Sequence, residues 1–419
     1  MPDYYVIETM RLSFFVNRNI GLLWFGQVVS QAGDSLYQIA LIWLLLEMTG
    51  SATVTGLVTM SSFLPTLLFG LWAGVLADRI DRKRLMMSSD FVRALLVLIL
   101  PILYYLGRLN SLILGLITFL IATCSAFFNP ARDAIIPQIV PKNELTRANA
   151  LIQTSWQLAV LLGPLLASFL LKTLGVVNLF FADSISFLVS LVFIYSLKIS
   201  SANSHVPVET PHSGESGFSK AWSLILEGVN HAVKNNVILL LLTITALDNL
   251  ILMGAAMIGT PIFVKTILGK SASVYALIEA CYASGMVLGI PLVHFLENRI
   301  TKGKMIAWGM ILDGLTFIPL LWITTTVGAI ITILFHAIFI PMITAGRATL
   351  IQHYVPQNLQ GRIFSLNSMA VVGCTALSVS ITGIIADHVA INYIFAGIGF
   401  GAALCGALAL SLRTFREAD

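Results

Sequence analysis

Long apolar stretches dominate the chain from about residue 17 to residue 412, each ended by Gly, Pro, Asn or a knot of charge. They are continuous, whereas a membrane-barrel strand alternates apolar and polar positions over ~10 residues. A bilayer core of ~30 Å takes ~20 apolar residues per helix. On that scale the breaks predict twelve transmembrane helices, at 17–47, 53–77, 86–107, 111–130, 148–172, 176–198, 237–266, 273–297, 305–325, 327–347, 363–386 and 390–412. Connections as short as Gly50–Ser51 and Leu174–Gly175 make neighbouring spans antiparallel.

One stretch breaks the rhythm. Residues 199–219 are polar and carry Pro207, Pro211, Gly214 and Gly217, the pattern of a flexible linker. Residues 220–235, KAWSLILEGVNHAVKN, then place apolar residues at helical spacing, which predicts a short amphipathic helix on the inner membrane surface. The chain divides into a first six-helix bundle over 1–198, a linker with its helix over 199–236, and a second bundle over 237–419.

Composition adds the environment. Charged residues make up 11% of the chain and hydrophobic ones 57%, where a globular domain carries roughly 25% charged residues. An all-α polytopic membrane protein fits; a soluble enzyme, a nucleic-acid binder and a disordered regulator do not. With the N-terminus inside, only Arg108, Lys172, Lys265 and Lys270 of the 24 basic residues fall near external helix ends, so both termini are expected on the cytoplasmic side. Arg11 and Arg18 precede an apolar run too long for a signal-peptide core, so no cleaved leader is expected. The four cysteines are scattered singly and read as packing residues.

The halves repeat. At an offset of 215, Arg132, Ile136, Val140, Pro141, Asn143 and Arg147 in the loop after span 4 meet Arg347, Ile351, Val355, Pro356, Asn358 and Arg362 after span 10. Asp34 falls near Asp248 and Asn249.

Ionisable groups inside spans are expensive and point to function. Gln27, Ser30, Gln31, Asp34 and Gln38 share one face of the first span, a polar stripe expected to line a cavity. Asp34 is the first candidate for proton coupling or substrate contact; the plainer reading is a carboxylate tied to neighbouring helices. Asp248 is its counterpart with Asn249, and Glu279 beside Tyr282 is a third candidate. Asp183 and Asp313 are expected to hold helices together, His294 and His336 to be packed or hydrogen-bonded, and Glu47 to reach water. Trp156 and Tyr37 are candidate cavity walls for a bulky amphipathic substrate. Gly269-Lys270-Ser271 lacks the earlier glycine of a phosphate loop, since residue 264 is Val264. No metal-binding or nucleophile motif occurs, so no cofactor or metal is expected and the energy source is an ion gradient, by default of protons.

Residues Gly74-Val-Leu-Ala-Asp78-Arg79-Ile-Asp81-Arg82-Lys83-Arg84 resemble the signature loop of the major facilitator superfamily, with Asp81 in place of a glycine. Asp takes left-handed geometry less easily than Gly, so the departure bears on the backbone there. Gln27 to Ser35, Leu46 to Ala52, Phe128 to Arg132, Arg147 to Leu151 and Ala182 to Phe187 resemble the drug-exporter branch that includes macrolide-efflux and enterobactin-export proteins. Gly163-Pro164 resembles the bend of an exporter signature whose other glycines are missing. The resemblance implies two pseudo-symmetric six-helix bundles around a midplane cavity, a monomer, and proton-driven export of amphipathic small molecules from a prokaryotic inner membrane. It also implies a conformational latch of Gly74, Asp78, Arg79 and Arg82 with Asp133, alongside Arg132 and Arg347, which hold or merely cap helix ends. A lipid or lysophospholipid flippase and a metal exporter are alternatives on the same scaffold; an enzyme is not expected.

Overall fold

The computed structural model describes residues 18–198 and 217–419. Arg11 and the polar stretch 199–216 lie outside them, and so do the side chains of Asp78, Arg79 and Asn358 and of residues 217–225. The first half comprises α1 (Arg18–Thr49), α2 (Ala52–Ser61), α3 (Leu64–Arg79), α4 (Arg82–Tyr105), α5 (Ser111–Ile139), α6 (Leu145–Leu174) and α7 (Asn178–Tyr195). The linker helix is α8 (Gly217–Lys234). The second half comprises α9 (Asn236–Gly254), α10 (Thr260–Thr266), α11 (Ala272–Leu296), α12 (Lys302–Phe317), α13 (Thr326–Ile338), α14 (Ile340–Tyr354), α15 (Gln357–Ala386) and α16 (Ile391–Ser411), closed by the short α17 (Arg413–Arg416).

Among the described residues, eleven helical segments are long and apolar enough to cross a membrane. At 32 residues α1 is long enough as well, but the polar stripe from Gln27 to Gln38 dilutes its apolar content. With α1 included, the twelve predicted spans are all present as helices.

Local chemistry sets the ends and the breaks. Ser51, Asp81 and Asn110 cap α2, α4 and α5, their side chains accepting from the N–H groups of Val54 (3.2 Å), Arg84 (2.8 Å) and Ile113 (2.9 Å). Gly50 turns the α1–α2 hairpin at φ +63°, a conformation open to glycine. Asp81 sits at φ −57° and acts as a helix cap, so glycine is not needed at that place in the signature loop. The predicted span 53–77 is two helices, broken at Ser62 and Phe63 ahead of Pro65, which lacks the N–H that would continue the ladder. The span 237–266 is interrupted by a π-helical turn, Ala255–Gly259, ahead of Pro261. The predicted loop after span 4 is also corrected: α5 continues through Pro130 and Pro137 to Ile139, so Arg132 is a helical residue, as is Asp133 beside it.

The two halves repeat one neighbour pattern. α1 packs on α6, α3 on α5 and α4 on α7; correspondingly α9 packs on α15, α11 on α13 and α12 on α16. Between the halves, α2 lies on α15 and α6 on α11.

Burial shows how the halves meet. At the end away from α8, one apolar core runs across both, uniting Ile42, Val58 and Leu100 with Ile258, Phe263, Tyr275 and Val379. At the α8 end the core divides, one cluster around Leu23, Met86, Ile135 and Ile152 and another around Ile238, Ile306, Leu350 and Phe415. The halves are joined at the far end and parted at the linker end. The far-end seam is tight because glycines let helix backbones touch: a Cβ on Gly56 would lie 2.7 Å from the Val379 carbonyl oxygen, and one on Gly383 2.6 Å from that of Ala52.

A polar clasp closes the same seam. Asp387, just past α15, accepts hydrogen bonds from Ser51 Oγ (2.7 Å) and from the backbone N–H groups of Ala52 (2.6 Å) and Thr53 (3.0 Å). It caps a helix of the other half at the positive end of its dipole. Slight burial pushes the carboxyl up, but bonds from the Thr53 and Ser51 side chains and from the Thr53 and Ala52 backbone outweigh it and hold Asp387 at about 2. A depressed carboxyl stabilises the folded contact above its unfolded value of ~3.9 and loses that contribution as pH falls towards the folded value. Asp387→Ala is expected to weaken the far-end contact by about 1 kcal/mol. The check is labelling of a cysteine at buried Val379 by an impermeant maleimide. Faster labelling in the variant at neutral pH is the expected result; unchanged labelling counts against the clasp.

Candidate translocation cavity

Two compartments share Trp156, the first between the halves beside the joined core and the second on the first half. The first, about 330 Å³, is lined by Ser35, Gln38, Trp156 and Pro164 from the first half and by Met253, Met257, Tyr275, Glu279, Tyr282, Met286, Phe317 and His336 from the second. The second, about 540 Å³, is lined by Gln31, Asp34, Asn129, Arg132, Ile152, Gln153 and Trp156. Trp156 belongs to both, so its indole divides an apolar, aromatic chamber from a polar one.

The apolar chamber has one carboxyl group without a counter-ion. Glu279 makes no hydrogen bond or ion pair with any described residue and stands among Tyr275, Tyr282 and three methionines. His336 is engaged instead: its Nδ1 lies 3.2 Å from both the Asp313 backbone carbonyl oxygen and Thr316 Oγ1, and its ring stacks on Tyr282 and tilts against Phe317. Asp313 and His336 therefore hold α12 to α13.

The polar chamber is organised from α1. Gln31 donates to Gln27 Oε1 (3.2 Å) and accepts from Ser155 Oγ (3.2 Å). Arg132 also donates to Gln27 Oε1 (3.4 Å) and pairs with its neighbour Asp133 (2.9 Å). Ser30 is buried and turns its hydroxyl to the Gln27 carbonyl. Asp34 faces the chamber with no hydrogen bond or ion pair to any described residue. Behind it lies a charged cluster that the span pattern did not single out. Asp90 and Arg93, both buried on α4, are ion-paired. The Arg93 guanidinium is sandwiched by Phe128 (4.6 Å) and Phe187 (4.3 Å). The i, i+3 spacing of Asp90 and Arg93 was the available signal.

The repeat is visible in side-chain geometry. Arg132 reaches back to the first helix of its half, and Arg347 does the same, its guanidinium 4.0 Å from Asp248 on α9. Asn249 is buried and donates to the Thr245 carbonyl (2.8 Å). Tyr37 is not a cavity wall: its hydroxyl lies 2.8 Å from Thr118 Oγ1 and its ring meets Phe180 edge-on, because that side of α1 faces the bundle core. Gly163 lets α6 close on α1, since a Cβ there would lie 2.4 Å from Ser35 Cβ.

This arrangement, two repeated bundles enclosing an interfacial cavity, agrees with the sequence family. The family model described as Major Facilitator Superfamily matches residues 23–370 and 242–419. The chain belongs to the Major Facilitator Superfamily. It is 24% identical to Macrolide efflux protein A of Streptococcus pyogenes over 376 residues, 89% of this chain and 90% of that protein. It is 24% identical to the Multidrug efflux pump Tap of Mycolicibacterium fortuitum over 416 residues, 95% of this chain and 96% of the pump. Among solved structures, a bacterial homologue of the iron transporter ferroportin in an inward-facing state aligns with TM-score 0.74 at 16% identity, over 95% of this chain and 100% of that one. A bacterial homologue of the lysosomal transporter Spinster, inward-facing and unoccupied, aligns with TM-score 0.73 at 14% identity, over 95% of each chain. At such identities the structures speak for the fold alone.

The superfamily's signature loop joins α3 to α4 at the linker end. Gly74 has open space around it. No ion pair joins Arg82 to Asp133 among the described residues: Asp133 is exposed and engaged by Arg132, and Arg82 keeps a buried Nε without a partner.

Proposed function

We propose that this superfamily member is a proton-coupled exporter of amphipathic small molecules, working by alternating access. The observation that carries the reading is the paired chamber: an aromatic and methionine-rich space for apolar surface, beside acids that lack counter-ions. Apolar walls with few convergent polar groups suit a bulky amphipathic ligand, and a carboxyl group without a partner in a span suits proton exchange. The efflux proteins among its relatives support the direction of transport. The energy source is the proton gradient, with no cofactor. The protein sits in a prokaryotic inner membrane as a monomer, with both termini and α8 cytoplasmic, following the distribution of Lys and Arg. In that orientation the parted end faces the cytoplasm.

The test is proton movement in proteoliposomes challenged in turn with a macrolide, a lipophilic cation, a catecholate siderophore and a lysophospholipid. Proton release triggered by one of the first three is the expected result and names the substrate class. Response to the lysophospholipid alone transfers the reading to lipid transport. Silence across the panel from folded protein overturns proton coupling.

A further inference from the structure

The exporter reading leaves open which charge the cargo carries, and the apolar chamber bears on that choice. Tyr275, Glu279, Tyr282 and Met286 all line this chamber from α11. Their spacing of four, three and four residues puts them on one face of the helix, a single strip turned towards the cavity. Met253 of α9, Met257 of its π-helical turn and Trp156 of the other half line the same space.

The aromatic walls are held in place by other rings. Tyr275 stacks on Trp43 across the halves, with centroids 6.2 Å apart and planes at 17°, and Trp43 Nε1 donates to Glu47 Oε1 (2.6 Å). Tyr282 stacks on the His336 ring at 6.0 Å, and Phe317 meets the same ring at 4.2 Å. Walls fixed in this way lose little freedom when a ligand enters.

Charge decides what suits the space. No lysine or arginine lines the chamber, and His336 is engaged by the Asp313 carbonyl and Thr316. An ionised carboxylate in such surroundings is costly unless a cation answers it. A hard metal ion needs several oxygen ligands to replace its water, and the strip offers one carboxyl group among thioethers and phenol rings. An organic cation needs none: its charge is spread over apolar surface and aromatic faces attract it directly. At about 330 Å³ the chamber lies at the small end of ligand pockets, ~300–1,000 Å³, which suits a compact molecule.

We propose that the Tyr275–Glu279–Tyr282 strip binds compact lipophilic cations, quaternary ammonium or phosphonium in class, with Glu279 as counter-ion and the two tyrosines as walls of an aromatic cage. Glu279 is then a specificity-determining residue: it admits cationic amphipaths and turns away anionic ones of the same shape. The place of this site in transport rests on the exporter reading, but binding is measurable with no gradient.

The experiment is equilibrium binding of labelled tetraphenylphosphonium to the full-length protein in detergent at fixed neutral pH. Tetraphenylborate, the same shape with the opposite charge, is the comparison. The parent is expected to bind the phosphonium and to bind the borate far more weakly. Glu279→Gln is expected to weaken phosphonium binding by roughly 30-fold or more, the scale of losing one partner of a desolvated charge pair. Glu279→Asp, which keeps the charge, should retain most of the affinity. Tyr282→Leu should cost about 3- to 30-fold, and Tyr282→Phe, which keeps the ring, little. A parent that fails to bind the phosphonium, or binds both ions equally, overturns the site, as does folded Glu279→Gln protein that binds like the parent. The comparison of the two ions needs no variant, so it decides the matter even where Glu279→Gln does not fold. Failure of the exporter reading looks different: phosphonium binding that depends on Glu279, with no proton movement when the cation is added to proteoliposomes.

Discussion

Asp34→Asn is expected to reduce uphill transport by roughly 100-fold, the scale on which loss of a proton-transferring side chain is felt. Downhill exchange of the same substrate should survive. Asparagine matches the carboxylate in size and cannot take up a proton, so it separates coupling from architecture. Asp34 has no hydrogen bond or ion pair with any described residue to lose, and it opens onto the polar chamber. The stability should therefore change no more than for an ordinary surface substitution, by about 0.5 kcal/mol. The measurement is accumulation against a gradient compared with counterflow at zero gradient, both in proteoliposomes. Persistent accumulation would move the coupling role to Glu279, the carboxyl in the apolar chamber, which has no partner among the described residues.

Arg347→Met should have the largest effect on stability. Arg347 and Asp248 are largely buried, with side-chain exposures of 13% and 10%, and stand 4.0 Å apart. Each also keeps a buried atom without a partner, Arg347 Nε and Asp248 Oδ1. Removing one member of a buried pair leaves the other charge uncompensated, at a cost of about 3–5 kcal/mol. Replacing both with apolar residues of similar volume removes that liability, so Arg347→Met with Asp248→Leu should recover most of the loss. The repeat supplies a control. Arg132→Met strips a partner from Asp133, which is exposed and can turn to water, so its cost should be much smaller. Thermal unfolding in detergent orders the three variants. Equal melting points for the single and double second-half variants would mean that the ion pair is not what holds α14 to α9.

Much of this was legible in the sequence. Twelve spans, the linker helix and the repeat follow from long apolar runs and from paired arginines, because burial in lipid leaves a coarse, contiguous signature. The acids that open on the chambers, Asp34 and Glu279, were legible because an ionisable group in a span is conspicuous. What failed was direction and depth. Tyr37 lies one turn from Asp34, yet only the packing of α5 and α7 decides that it points into the core. Asp90 and Arg93 sit near the start of a span, where charges ordinarily mark a helix end. Their burial depends on Phe128 and Phe187, distant in sequence. Arg132 read as the start of a loop because proline usually ends a helix, and α5 runs through two of them.

The shared core at the far end has a thermodynamic consequence. In the proposed alternating-access cycle, Val58, Ile258 and Val379 must leave one another and meet water when the opposite side opens, so each turn hydrates and dehydrates a strip of protein interior. Hydration of apolar surface carries a large heat capacity. The barrier to turnover therefore changes with temperature, and the logarithm of the rate plotted against reciprocal temperature bends instead of running straight. In this respect a working cycle borrows the thermodynamics of folding: the membrane holds the helices upright while a narrow seam between them repeatedly melts and reforms.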